Sequence, residues 1–224
     1  MLKSSLSVVL PVCNDQAHLS RRLSSLLEVL PELAVRFEMA VIDHGSSDAT
    51  AEVAHDLAAG YPQVCVLSYP RSLDGSSVLR HGLQATSGEM VLLVMDPSAD
   101  PHDFHRLVRA AQATDAVAGR LPPPLLGGNP AGIRDAAGQP ALLLFNRRVA
   151  TAWRSMQTDE TLPAYLLRKR YRIAELLVRR SADSARPAAS QPPAISAPTG
   201  SPPAMHALRS SKRPGSVPSP RANF

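Results

Sequence analysis

Two rhythms of hydrophobic residues alternate along the chain. Short contiguous apolar runs recur at residues 7–12, 37–42, 64–67 and 90–95, each followed by polar residues. Runs of that length, rich in Val, Ile and Leu, predict buried strands. Between them the apolar positions spread to spacings of three and four. Leu19, Leu23, Leu26, Leu27 and Leu30 make one such stripe, with Arg21, Arg22 and Glu28 on the other side, so a helix is expected there. Pro31 ends that helix or begins a short extension. A second helix, 50–59, carries Val53, Ala54 and Leu57 and stops at Gly60, with Ser46, Ser47 and Asp48 as possible caps. A third is expected over 78–85, closed near Gly88. The run 90–95 is the most hydrophobic and is therefore placed at the centre of a sheet.

The later part reads less regularly. A helix is expected over about 104–113, a fifth strand over 116–118, and a linker or irregular loop where the text becomes LPPPLLGGNPAG, residues 121–132. Another strand follows at 141–145, a short basic helix at 162–170, and a closing strand or edge at 173–178. Alternating strands and helices predict an α/β fold: a mostly parallel sheet with helices on both faces.

Composition changes this picture mainly at the carboxyl end. Nine of the 21 prolines lie beyond Arg180, among serines and alanines that cannot build a core. The organisation expected is a folded domain over 1–180 and a disordered tail over 181–224. From Ser181 onward there are five basic residues and one acid, so most of the net charge of +5 belongs to the tail. The domain itself is nearly neutral, which removes nucleic acid from the expected partners. Cys13 and Cys65 each sit in an apolar run and are expected to be buried free thiols of a reduced, cytoplasmic protein. No window offers 18 apolar residues, so no transmembrane segment is expected. Contact of the basic tail with lipid headgroups stays open beside a tail without a partner.

Candidate chemistry gathers at strand ends. Acid-bearing loops follow Val12, Ile42 and Met95, and parallel α/β sheets bind ligands outside the carboxyl ends of their strands. The motifs there resemble a known family. SVVLPVCND (7–15), FEMAVIDHGSSDATAEVA (37–54), YPRSLDGSSVLRHGLQATSGEMVLLVMD (69–96), IRDAAGQPALLLFNRR (133–148) and KRYRIAELLVRR (169–180) come in the order seen in family 2 glycosyltransferases. The likeness is to enzymes of GT-A type, nearest the branch that transfers sugars to dolichyl or polyprenyl phosphate, and it covers about residues 6–180.

The resemblance implies a GT-A-like fold and a nucleotide-sugar donor held by Pro11, Asn14, Asp15, Asp43, His44 and Arg71. It implies a divalent cation, Mg²⁺ or Mn²⁺, at an Asp-x-Asp motif, where hard carboxylates neutralise the departing diphosphate. Asp96 is the first acid of that motif. Ser98 stands in the second place, and Asp100 is the acid that could reach in. His44 replaces another family acid, and Asp74 stands where the third region has a glycine. The acceptor-side acids are Asp135, Asp159 and Glu160, candidates for a general base. The acceptor is unidentified, with a polyprenyl phosphate and peripheral membrane contact in view. A relative that kept the fold and the nucleotide but lost catalysis is the alternative.

Overall fold

The computed structural model describes residues 2–122, 140–155 and 160–181. The linker at 123–132, Asp135, Asp159 and the tail from residue 182 lie outside the described residues.

Seven strands form one sheet in the order β3-β2-β1-β4-β6-β5-β7: β1 Leu6–Val12, β2 Phe37–His44, β3 Val64–Tyr69, β4 Met90–Val94, β5 Ala116–Arg120, β6 Leu142–Asn146 and β7 Ile173–Leu177. Among the described strands, β6 alone runs antiparallel to its neighbours. β4, the most hydrophobic run, is the middle strand. Helices α1 (Leu19–Leu33), α2 (Thr50–Ala59) and α4 (Phe104–Ala110) share one hydrophobic cluster. Helices α3 (Gly75–Ala85), α5 (Arg147–Arg154) and α6 (Leu162–Arg168) contribute to the cluster on the other face. In α1, residues Leu19, Leu23, Leu26, Val29, Leu30 and Leu33 are buried, each worth about 1.5–3 kcal/mol of transfer free energy.

Pro31 lies inside α1, which continues to Leu33. A proline in the last turn removes a single internal hydrogen bond, and Ala34 N–H still reaches Leu30 O at 3.2 Å. Helix α5 has no counterpart among the sequence expectations. Its mean hydropathy is low, yet Asn146 caps it and Val149, Ala150 and Trp153 bury one side. The cysteine expectation also changes: both thiols are free, but Cys13 is exposed and Cys65 half-buried. Cys13 follows the last residue of β1, past the stretch that the sheet and its helices bury on both faces.

The register explains where a ligand can enter. β1 pairs with β4 only over Leu6–Val9 against Met90–Leu93, while its pairing with β2 continues to Val12 against Asp43. Past Val9 the two central strands separate. Chain order reverses at this same place, since β2 lies on one side of β1 and β4 on the other. Such a switch point leaves a crevice at the carboxyl ends. Pro11 sits in the singly paired stretch, where a missing N–H is tolerated.

Candidate functional site at the carboxyl ends of the central strands

The loops after β1 and β2 are bonded into one polar lattice. Asn14 takes a left-handed φ of 49°, a conformation asparagine tolerates better than most residues. Its N–H donates to Ser46 Oγ at 2.9 Å, and its Oδ1 accepts from Ser47 N–H at 2.8 Å. Ser46 Oγ in turn donates to the Asp43 carboxylate. Asp15 N–H donates to Thr50 Oγ1 at 2.8 Å, and Gln16 Oε1 accepts from Ala49 N–H at 2.9 Å. Asp43 is 4% exposed, so it is a carboxylate buried at a strand end and oriented by one hydroxyl. Burial raises the Asp15 carboxyl above its usual range despite its contact with the Arg22 guanidinium.

The loop after β3 is tied to the same lattice. Gly45 adopts φ +87° and donates to Tyr69 O at 2.9 Å. A Cβ at Gly45 would lie 2.7 Å from Ser72 N, so only glycine lets the two loops approach this closely. His44 Nδ1 accepts from Leu73 N–H at 3.3 Å, which leaves the ring proton of the neutral imidazole on Nε2. His44 thus tethers the backbone beside Arg71, whose side chain is exposed. Asp74 is not directed at a phosphate: it caps α3, accepting from Ser76 and Ser77 N–H at 2.9 and 3.0 Å. The Ser77 hydroxyl and these N–H groups hold its carboxyl below the usual range.

The loop after β4 gives a different picture of the expected metal motif. Asp96 Oδ1 accepts from Ser98 N–H at 2.8 Å. Asp100 caps the 3-10 turn Pro101–Asp103, accepts from His102 N–H at 3.0 Å, and faces Arg179 Nη2 at 3.5 Å. Its carboxylate is therefore engaged by the His102 N–H and the Arg179 guanidinium. Ser98 Oγ accepts from Arg180 Nη1 at 3.1 Å. No group of three His, Cys, Asp or Glu residues suited to a metal exists among the described residues. Among the described residues, one carboxylate, a serine and a guanidinium do not fit a resident divalent cation, because the charge brought beside Asp96 by Arg180 is positive.

A cavity of about 460 Å³ fills the switch-point crevice on the α1 side. Leu10 and Val94 line it from the two separating strands, with Asp96, Ser98, Arg21, Arg22 and Arg180 around them. A second cavity, about 560 Å³, opens on the other side of β4, between the N-termini of α3 and α6, with Met95, Leu143 and Leu162 in its wall. Glu160 precedes α6 and is gripped by Arg168, with contacts of 2.8 and 2.9 Å. Those hydrogen bonds hold its carboxyl below the usual range, which weakens it as a base.

Of the residues expected from sequence, the fold brings together Pro11, Asn14, Asp15, Asp43, His44 and Asp96 at the carboxyl ends of β1, β2 and β4. Arg71 follows β3 on the adjoining loop, and Asp100 and Glu160 are engaged elsewhere. Sequence reasoning missed Arg180 and the α1 arginines as parts of this crevice.

Comparison with known proteins agrees with this architecture. The model of the glycosyl transferase family 2 matches residues 7–161. An undecaprenyl-phosphate 4-deoxy-4-formamido-L-arabinose transferase of Aeromonas hydrophila is 33% identical over 118 residues, 51% of this chain and 36% of that protein. The match thus spans about a third of that relative's length. Among solved structures, a mannosyltransferase from Pyrobaculum calidifontis in complex with GDP-Man and Mn²⁺ has a TM-score of 0.61 at 16% identity, covering 80% of this chain and 57% of that one. Glucosyl-3-phosphoglycerate synthase from Mycobacterium tuberculosis, with Mn²⁺, UDP and phosphoglyceric acid, has a TM-score of 0.58 at 20% identity, covering 82% and 72%. At these identities the structures speak for a shared fold of GT-A type.

Proposed function

Because the chain belongs to glycosyl transferase family 2, we propose that it moves a sugar from a nucleotide-sugar donor to a phosphate on a polyprenyl lipid. The observation that carries this reading is the hydrogen-bonded lattice around buried Asp43, which joins the loops at the carboxyl ends of β1 and β2. A nucleoside offers N–H and hydroxyl donors to a buried carboxylate and a flat face to the loops. Asp43 takes the nucleoside, Asn14 and Asp15 keep the first loop in place, and His44 holds the Arg71 loop against it. The donor's diphosphate then points along β4 toward Asp96.

In the reaction the acceptor oxygen attacks the anomeric carbon as the bond from that carbon to the β-phosphate oxygen breaks. The electron pair leaves with the nucleoside diphosphate, and attack opposite the leaving group inverts the centre. A phosphate acceptor arrives already anionic and releases no proton, so a general base is not needed. That suits the grip of Arg168 on Glu160. A hydroxyl acceptor would place the base at Asp135 or Asp159 instead. The lipid acceptor follows the name of the Aeromonas relative. It also fits the apolar wall of the cavity beyond Met95. No described helix is long and apolar enough to cross a membrane.

The test is incubation of the full chain with UDP- and GDP-sugars and undecaprenyl phosphate in mixed micelles, with Mg²⁺ and Mn²⁺ present, followed by mass spectrometry of the lipid. A glycosyl phospholipid with stoichiometric release of nucleoside diphosphate is expected. A lipid left unmodified across donors, while a hydroxyl acceptor is glycosylated, would remove the lipid-phosphate reading.

A further inference from the structure

The replacement of an acid by Ser98 has a counterpart elsewhere in the chain. After β7 the backbone returns across the β4 loop: Ala99 and Arg180 form an antiparallel bridge, Asp100 N–H donates to Arg179 O at 3.0 Å, and Ser181 N–H donates to Ser98 O at 2.7 Å. Arg179 anchors the return. Its N–H, Nε and Nη2 reach buried Asp103 at 2.7, 3.2 and 3.1 Å. The next residue, Arg180, is thereby delivered to Ser98 Oγ. An aspartate at 98 would pair with this guanidinium and cancel it. Serine only accepts a hydrogen bond and leaves the positive charge in the crevice.

The surroundings have the same sign. Among the described residues, the Arg22 and Arg180 guanidinium groups line the cavity with the carboxylate of Asp96, and Asp15 offsets Arg22. Resting on the nucleotide-sugar reading above, we propose that Arg180 takes the donor's diphosphate in place of a cation held by the loop. Its planar fork matches phosphate oxygens, and a cation fixed by the backbone needs no loading. When the bond to the anomeric carbon breaks, the electron pair stays on the β-phosphate oxygen beside this guanidinium. Arg180 neither gives nor takes a proton. Binding of the donor's phosphates is then independent of divalent metal, unlike a site built on two acids.

Calorimetry of the full chain with UDP and GDP, in EDTA and in Mn²⁺, tests this, with uridine and guanosine as probes lacking the diphosphate. Expected are diphosphate binding in EDTA and a weakening of about tenfold or more in Arg180→Gln, with nucleoside binding unchanged. Ser98→Asp, which restores an acid beside Arg180, should weaken binding in EDTA and make Mn²⁺ improve it. Thermal melts establish that both variants are folded. Diphosphate binding that requires Mn²⁺ and ignores Arg180→Gln overturns the inference while leaving the nucleotide site standing. Failure of nucleosides and nucleotides alike overturns both.

Discussion

Asp43 and Gly45 sit two positions apart and do opposite work. Asp43 is a polar group that the fold buries at some cost, which a ligand's donors would repay. Asp43→Asn keeps the shape and the hydrogen bond from Ser46 but loses the charge, and should weaken nucleotide binding with little change in melting temperature. Gly45→Ala should do the reverse. A methyl at φ +87°, 2.7 Å from Ser72 N, should cost about 1–3 kcal/mol in chemical denaturation. Asp43, Asn14 and Asp15 could be read from the sequence because they follow apolar runs, and strand ends fix where such residues point. His44 and Asp74 could not. Whether a histidine tethers a loop or an aspartate caps a helix depends on which backbone N–H groups lie nearby. Here those are Leu73 N–H for His44, and Ser76 and Ser77 N–H for Asp74.

Among elements, the return of the chain after β7 matters most, and the Asp103–Arg179 contact fastens it. Burial alone would raise the Asp103 carboxyl; hydrogen bonds from the Arg179 N–H and guanidinium, with that charge and the Arg106 charge, outweigh it and hold the group below its ordinary 3.8. A folded-state value below the unfolded one contributes stability above the unfolded value, and that contribution is lost as pH falls through the folded one. Asp103→Asn should therefore destabilise by about 1–3 kcal/mol at pH 7, and the gap in melting temperature to the parent should narrow below about pH 4. A gap constant from pH 7 to pH 3 would show the charge to be irrelevant. The same variant should loosen Arg180 and weaken diphosphate binding. The strands and the leucine-striped helix α1 could be found from periodicity. Helix α5 could not, because its buried side is only Val149, Ala150 and Trp153 amid arginines. Its signal was the Asn146 cap followed by apolar residues at spacings of three and four.

At the scale of the whole molecule, the two ends of the sheet are built for different ends. Opposite the crevice, Arg147 donates to Leu83 O at 3.0 Å, Ser7 Oγ at 3.0 Å and Thr86 Oγ1 at 2.8 Å, while Glu38 accepts from Ser7 Oγ and Gly88 N–H. This network joins the starts of β1, β2, β4 and α5 through side chains already satisfied by one another. Arg147→Met should lower stability by about 2 kcal/mol or more, read by denaturant titration, and leave nucleotide affinity unchanged. The sheet class was legible from alternation alone, and the central place of β4 from its hydrophobicity. Strand order beyond β4 was not, since an antiparallel β6 inserted between β4 and β5 leaves no mark in local periodicity. Nor was the reach of Arg180 to Ser98, a contact across 82 positions. The central claim is that the lattice around Asp43 holds a nucleotide. Its most direct measurement is a titration of the intact chain and of Asp43→Asn with UDP and GDP, followed by calorimetry. Saturable binding of one nucleotide, weakened about tenfold or more by Asp43→Asn, is the predicted result; equal affinity in both proteins would contradict it.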